Sequence, residues 1–269
     1  MRDLTVAMPT FEDDPAVLSR VLDAASAQVA RPIVVVDMSR TEAVAEVAAA
    51  RDDVLYVPFR GSRGVSHSRN VCVQSVETRY VLFLDSDAVP EPGWASAARA
   101  GFEHDRVAIV GTRVVGEFAR RPPSLFTTAT ASDWLSMLDL GGESGEVPRV
   151  IGTSYAIDRE RLGEAPFDEA LGRRPGVAIA HEEVQLALDA TRAGWRCWYA
   201  ADARVRHLVD ESRLTWRWML RRAYTAGREV ALAPSEGLAP MPRRLTFRDH
   251  AFRALVAPAF LAGRVRGPQ

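Results

Sequence analysis

The stretch YVLFLDSDAVPEPGW, residues 80–94, sets two carboxylates, Asp85 and Asp87, one residue apart at the end of an apolar run. Charges of one sign this close repel unless a cation lies against them. Hard oxygen ligands suit Mg2+ or Mn2+, and such an ion binds readily through one or two carboxylates plus a substrate phosphate. Asp37 stands in the same position after the run PIVVV. Glu182 and Glu183 open a segment with helical spacing, where an acid either favours the positive helix end or takes a proton from a substrate. Other chemistry is excluded. Every one of the 34 lysine-or-arginine positions holds arginine, so no Schiff-base or P-loop lysine exists. No serine or cysteine assembles persuasively into a nucleophilic triad.

Regular elements must carry these acids to one place. Residues 4–8 predict a first strand, Asp14 and Pro15 an N-cap with an N1 proline, and Val17, Leu18, Val21 and Leu22 a helical stripe. Residues 32–36 read as a buried strand ending at Asp37. Ser39 and Glu42 have capping-box spacing before an alanine-rich helix to about Ala50. A third strand is predicted at 54–57, a helix at 65–76 and a strand at 80–84. This alternation predicts a parallel sheet with crossover helices, whose ligands bind at the carboxyl ends of the strands. The second half predicts strands at 107–115, 150–157, 196–199 and 203–207, and helices at 182–192 and 215–228. Residues 120–148, with proline near both ends, read as a mobile loop holding one short helix.

Taken in order, VAMPTFE, VVVDMS, RGVSHSRN, FLDSDAVPEPGW, FDEAL, HEEVQLALDATRAGW and ADARVRHL resemble family 2 glycosyltransferases of the GT-A fold. The resemblance covers roughly residues 3–230. It implies an α/β fold, a GT-A-like (Rossmann-like) three-layer sandwich with a mostly parallel central sheet. A single catalytic domain is expected over residues 1–232, followed by a basic and apolar helical extension over 233–269.

The resemblance also implies roles. The segment after the first strand and the aspartate after the second embrace the nucleotide base, which here are Pro9, Thr10, Glu12 and Asp37. Family members often carry two adjacent acids after the second strand, whereas Met38 follows Asp37. Gly64, Arg69 and Asn70 match a GxxxARN segment, and Arg69 near a helix start suits a diphosphate. Within the D-x-D motif, Asp85 is expected to face the ribose, with Ser86 beside it, and Asp87 to ligate the metal that bridges the diphosphate. His207 matches a position near the same metal. Glu183 matches the general base, though the family usually has aspartate there and glutamate is one methylene longer; Glu182 is the alternative base. The implied activity is metal-dependent (Mn2+ or Mg2+), inverting transfer from a nucleoside-diphosphate sugar, UDP being the commonest carrier, to a small-molecule, lipid-linked or glycan acceptor. Trp134 reads either as a sugar-stacking ring or as packing for the 120–148 loop, and the IGTSY segment (151–155) as the acceptor-side floor.

Two other readings stay open. LDSDAV also fits the start of a haloacid-dehalogenase-type phosphatase, with Asp85 as nucleophile and Asp87 as general acid, although no lysine is present to complete it. The departure at Glu183 would also suit a catalytically inactive nucleotide-sugar-binding protein. A net charge of -1 predicts no nucleic-acid partner. Two cysteines without metal spacing, no signal-like N-terminus and no long apolar run predict a cytoplasmic protein. Arg213, Arg217 and Arg221 recur every four residues, as either a solvated helix face or a phosphate-binding stripe. From 243 to 269 the tail holds six arginines against Asp249, among Phe252, Leu255, Val256, Phe260 and Leu261, with Pro258 expected to interrupt a long helix. That composition fits peripheral contact with the inner face of a membrane, a homodimer interface, or packing on the domain.

Overall fold

A computed structural model of the chain describes residues 2–59, 64–172, 182–232 and 241–266. Its first half alternates as the periodicity predicts: β1 (Leu4–Thr10), α1 (Pro15–Ser26), β2 (Ile33–Asp37), α2 (Ala43–Ala49), β3 (Val54–Pro58), α3 (Val65–Gln74) and β4 (Tyr80–Leu84). Asp14 caps α1, its carboxylate accepting from the N–H groups of Ala16 and Val17 at 2.8 and 3.1 Å, while Leu18, Val21 and Leu22 are buried. The expected capping box at Ser39 does not form. Glu42 occupies the N-cap of α2 without a side-chain bond, and Ser39 Oγ instead accepts from the Glu12 N–H at 2.7 Å.

The remaining elements are β5 (Ala88–Pro90), α4 (Trp94–Ala100), β6 (Val107–Phe118), α5 (Ala129–Trp134), β7 (Gly145–Val147), β8 (Ser154–Asp158), α6 (Arg159–Leu162), α7 (Glu182–Arg192), β9 (Arg196–Val209), α8 (Trp216–Leu232) and α9 (Phe247–Arg266). The sheet runs β3-β2-β1-β4-β8-β6-β9-β5, with β7 also on β9. Strands β1 to β4 pair in parallel, as do β6 and β9; β5, β7 and β8 run against their neighbours. The sheet is therefore mixed and mostly parallel. The chain steps outward from β1 to β3 and then back to β4, with α1 packed on α2 and with α3 packed on β1 and β2.

Two predicted strands merge into one. The ladder between β6 and β9 pairs Thr112 with Ala200 and then Arg113 with Arg204. Three residues of β9 thus loop out of register as a bulge, which bends the strand without ending it. The predicted strand at 150–157 begins only at Ser154, because Ile151 to Thr153 turn beneath the carboxyl end of β4. Within 120–148 lie the one short helix α5, a 3-10 turn at Ser124–Thr127 and the edge strand β7.

A second apolar cluster lies beside the main core. Phe126, Leu135, Met219, Phe252 and Val256 join the 120–140 segment, α8 and α9. Contrary to the expectation for Pro258, α9 runs through it unbroken. The proline costs the bond to the carbonyl of Ala254, an exposed residue, so water can replace the missing donor. Helices α8 and α9 touch backbone to backbone. A Cβ at Gly227 would overlap the carbonyl of Phe260, and one at Gly263 that of Tyr224.

Candidate active site

A cleft of about 810 Å3 opens at the carboxyl ends of β1 and β4. Sheet register builds its first wall. β5 pairs with β9 so that Ala88 faces His207, and the N–H of Leu208 donates to the carbonyl of Asp87 at 2.8 Å. His207 Nε2 then lies 3.3 Å from Asp87 Oδ2, while its buried Nδ1 has no partner among the described residues. Burial alone would raise the Asp87 pKa. The contact with His207, the charge of that ring and Arg213 outweigh it and hold the carboxyl below its ordinary value.

These two donors fit a hard cation. Ligands on adjacent positions of an octahedral ion with bonds near 2.1 Å stand about 3 Å apart. Among the described residues no three His, Cys, Asp or Glu side chains gather as a metal cage. A cation here would draw its other ligands from phosphate oxygens and water, as Mg2+ usually does.

The cleft floor is organised around Arg69, only 3% exposed. Its Nη1 donates to Glu182 Oε1, its Nη2 donates to the carbonyl of Gly152 at 3.1 Å and lies 3.9 Å from Asp85 Oδ1, and its guanidinium lies over the Tyr155 ring. Burial would discharge this arginine, but Tyr155, Glu182, Asp85 and Glu183 around it push the other way and keep it cationic. Burial raises Glu182 first and the charge of Glu183 adds to it, against the pull of Arg69. Gly152 separates the two functional groups. A Cβ there would stand 3.1 Å from Arg69 Nη2 and 3.8 Å from Glu183 Cδ. Glu183, half-buried one position further along α7, lines the cleft.

Most of the expected residues converge. Pro9, Thr10, Glu12, Gly64, Arg69, Asp85, Ser86, Asp87, Glu182, Glu183 and His207 all line this cleft. Asp37 lies in an adjoining smaller pocket, where its carboxylate accepts from the Ser39 N–H at 2.8 Å and from Tyr56 OH at 2.9 Å. Asn70 is not brought to the cleft. Its amide closes on the backbone of Phe167, accepting from that N–H at 3.0 Å and donating to its carbonyl at 2.9 Å. Glu12 reaches the cleft rim, but its carboxylate is used as a strap, accepting from the Arg40 N–H at 2.9 Å and from Thr41 Oγ1 at 3.0 Å.

Asp13, Ser136 and Arg222 also line the cleft and carry no signal of their own in the sequence. Asp13 sits beside Ser86, and burial raises its pKa against that hydrogen bond, with Asp87 and Asp37 adding to the rise. Ser136 holds a left-handed turn, φ 58°, and its carbonyl accepts from Thr153 Oγ1 at 2.8 Å. Arg213, in the turn before α8, and Arg222, which donates to Glu229 at 2.8 Å, both line the cleft. The solvated-stripe reading is thus divided: Arg213 faces the cleft, whereas Arg217 and Arg221 are exposed. Trp134 packs on Phe252 at 5.6 Å between ring centres, as the loop-packing reading expects, and it also lines the cleft.

Comparison with known proteins places this geometry. A family model described as "Glycosyltransferase like family 2" matches residues 2–225. A Haloferax volcanii protein named glucosyl-dolichyl phosphate glucuronosyltransferase is 28% identical over 235 residues, 83% of this chain and 73% of its own length. The pre-mycofactocin glycosyltransferase of Mycobacterium tuberculosis is 28% identical over 86% of this chain, which spans about half of that relative's length (48%). Among solved structures, the Pyrobaculum calidifontis mannosyltransferase PcManGT, in complex with GDP-Man and Mn2+, superposes with a TM-score of 0.63 at 21% identity over 97% of this chain and 70% of its own. GalNAc-T7 with UDP, GalNAc and Mn2+ superposes with a TM-score of 0.58 at 16% identity over 94% of this chain and 54% of its own. Likeness at that identity speaks for the fold, the family match for the activity, and the phosphatase reading falls with both. The chain belongs to glycosyltransferase-like family 2, and it is a glycosyltransferase of the GT-A fold.

Proposed function

We propose that this enzyme carries out metal-dependent, inverting transfer from a nucleoside-diphosphate sugar, with UDP as the carrier, to a hydroxyl of a lipid-linked or small glycan acceptor. The observation that carries the reading is the presence, in one cleft, of the Asp87–His207 pair and of Glu183. Asp87 and His207 are the residues that would hold Mn2+ or Mg2+, whose Lewis acidity stabilises charge on a departing diphosphate. Solved relatives in the fold are described with Mn2+ and either GDP-Man or UDP, and the Haloferax relative is named for a dolichyl-phosphate-linked substrate.

Glu183 is the base in this scheme. Glu182 has one oxygen held by Arg69 and the other buried with no partner among the described residues, so its carboxylate is committed to the Arg69 pair. A Glu183 oxygen takes the acceptor proton as the acceptor oxygen attacks the anomeric carbon. The bond from that carbon to the diphosphate breaks, and the nucleoside diphosphate leaves toward Asp87. One displacement inverts the centre. Arg69, fixed at the cleft floor, opposes the leaving charge without needing to reorganise.

Titration calorimetry with UDP, GDP and dTDP, each with Mn2+ and again with EDTA, tests the donor side. The expected result is micromolar, metal-dependent binding of UDP that Asp87→Ala abolishes. Binding of UDP that survives both EDTA and Asp87→Ala would refute the metal role, and preference for GDP or dTDP would replace the carrier.

A further inference from the structure

Helix α9 buries one face and displays another. Phe252, Val256 and Gly263 face α8 and the 120–140 segment. On the other side Phe247 is 86% exposed, Leu255 54%, Leu261 55% and Val265 85%, with Ala254 and Pro258 exposed among them. At 100° per residue these six positions fall within an arc of roughly 120°. The two other positions in that arc are alanines, so the stripe contains no polar residue over the whole length of the helix. An uninterrupted exposed apolar stripe of this kind marks an interaction surface.

The charges around the stripe choose the partner. Each of the two helices carries a single carboxylate, Glu229 in α8 and Asp249 in α9, and both are buried. Glu229 is paired with Arg222. Asp249 accepts from the N–H of Thr246 at 2.7 Å and from its hydroxyl at 2.6 Å, and from the N–H of Ala129. The accessible charge of the α8–α9 unit is therefore arginine alone, with Arg217, Arg221, Arg248, Arg253 and Arg264 exposed. The chain as a whole is nearly neutral at -1, so this face is a local concentration of positive charge. A second copy docked on the same stripe by two-fold symmetry would set arginines against arginines, with no accessible carboxylate among the described residues of α8 and α9 to receive them. An anionic surface has no such penalty. Among the described residues no helix is long and apolar enough to cross a membrane.

We propose that α9 is an interfacial helix that docks the enzyme on an anionic lipid bilayer, with its apolar stripe at the acyl boundary and arginines at the headgroups. Long arginine stems allow that arrangement, because their charged ends reach outward while the stem lies on apolar surface. The proposal is independent of the identity of donor, metal and base.

Flotation of the full chain with phosphatidylcholine vesicles, with and without one quarter phosphatidylglycerol, tests it. The expected result is binding to the anionic vesicles only, lost at high salt. Leu255→Asp with Leu261→Asp, and separately Arg221→Glu with Arg264→Glu, should each weaken binding by roughly tenfold or more. All four positions are exposed, so circular dichroism and thermal unfolding should match the parent protein. Failure to float with anionic vesicles would overturn the proposal, as would unchanged binding by the leucine variant. A dimer on size-exclusion chromatography that the leucine variant dissociates, without vesicle binding, would assign the face to a second copy and also overturn it.

Discussion

Adjacent glutamates with opposite duties give a sharp test, because one should govern stability and the other turnover. Glu182→Gln removes a charge from a pair whose side chains are 3% and 6% exposed. Deleting one partner of a buried pair costs about 3–5 kcal/mol, chiefly by leaving the other charge uncompensated. Here Arg69 keeps two partners. The Gly152 carbonyl stays at 3.1 Å, and Asp85 at 3.9 Å contributes at most roughly 4 kcal/mol at an effective dielectric of 20, less because it is partly solvated. The amide of the substituted side chain also retains an oxygen for Arg69 Nη1. The substitution also relieves the burial penalty and the Glu183 repulsion that raise the Glu182 pKa, so the expected loss lies below that range, about 2 kcal/mol, or a fall in Tm of about 4–8 °C for a domain of this size. Glu183→Gln removes only a half-buried cleft group and should move Tm by less than about 2 °C, while kcat falls by about 10²–10⁴-fold with donor affinity retained. Thermal unfolding by circular dichroism and single-turnover transfer from labelled UDP-sugar measure the two effects. The reasoning is refuted if Glu182→Gln unfolds within about 2 °C of the parent protein, or if Glu183→Gln turns over at the parental rate.

Three further outcomes are expected. Asp13 has a folded-state pKa raised above its unfolded value, so its contribution is fully present below the unfolded value and is lost as pH rises through the folded one. In metal-free protein, Asp13→Asn should therefore unfold close to the parent near pH 4 and above it at pH 8, read from Tm against pH. Asn70→Ala leaves the buried N–H and carbonyl of Phe167 without partners, and urea unfolding should show a loss of about 1–3 kcal/mol with nucleotide affinity unchanged. Gly263→Ala drives a Cβ into the carbonyl of Tyr224, and the urea midpoint should fall by the equivalent of about 1–3 kcal/mol.

The first half of the fold was legible because its signals are local. Buried apolar runs of five residues and an Asp-Pro cap mean the same thing wherever they occur, and β2, β4 and α1 formed where they indicate. The convergence of Asp87, His207 and Glu183 in one cleft agrees with the order of motifs in the sequence. Individual duties were less legible. Glu12, Asp13 and Asp14 are three consecutive acids, and only the turn at Glu12, φ 53°, decides that the first straps a loop, the second enters the cleft and the third caps α1. Asn70 has the type and position of a ligand, but a backbone 97 residues away takes its amide. The bulge in β9 depends on its partner β6 and so reads from the sequence as a break. Pro258 misled for a related reason, since the cost of a proline within a helix depends on whether the freed carbonyl lies toward solvent.

The seam between Gly227 and Gly263 has a consequence for orientation. Helix α8 bears Arg222 into the cleft and meets α9 backbone to backbone at Gly227, five residues on. With no side chain in the gap, neither helix has a cushion in which to roll. The pair behaves as a set-square, and any surface that holds α9 also fixes the tilt at which the cleft mouth meets an arriving acceptor. Were α9 held on a surface, two absent methyl groups would thereby set an angle of approach, a property that no cleft residue records and that an enlarged residue at either glycine would alter.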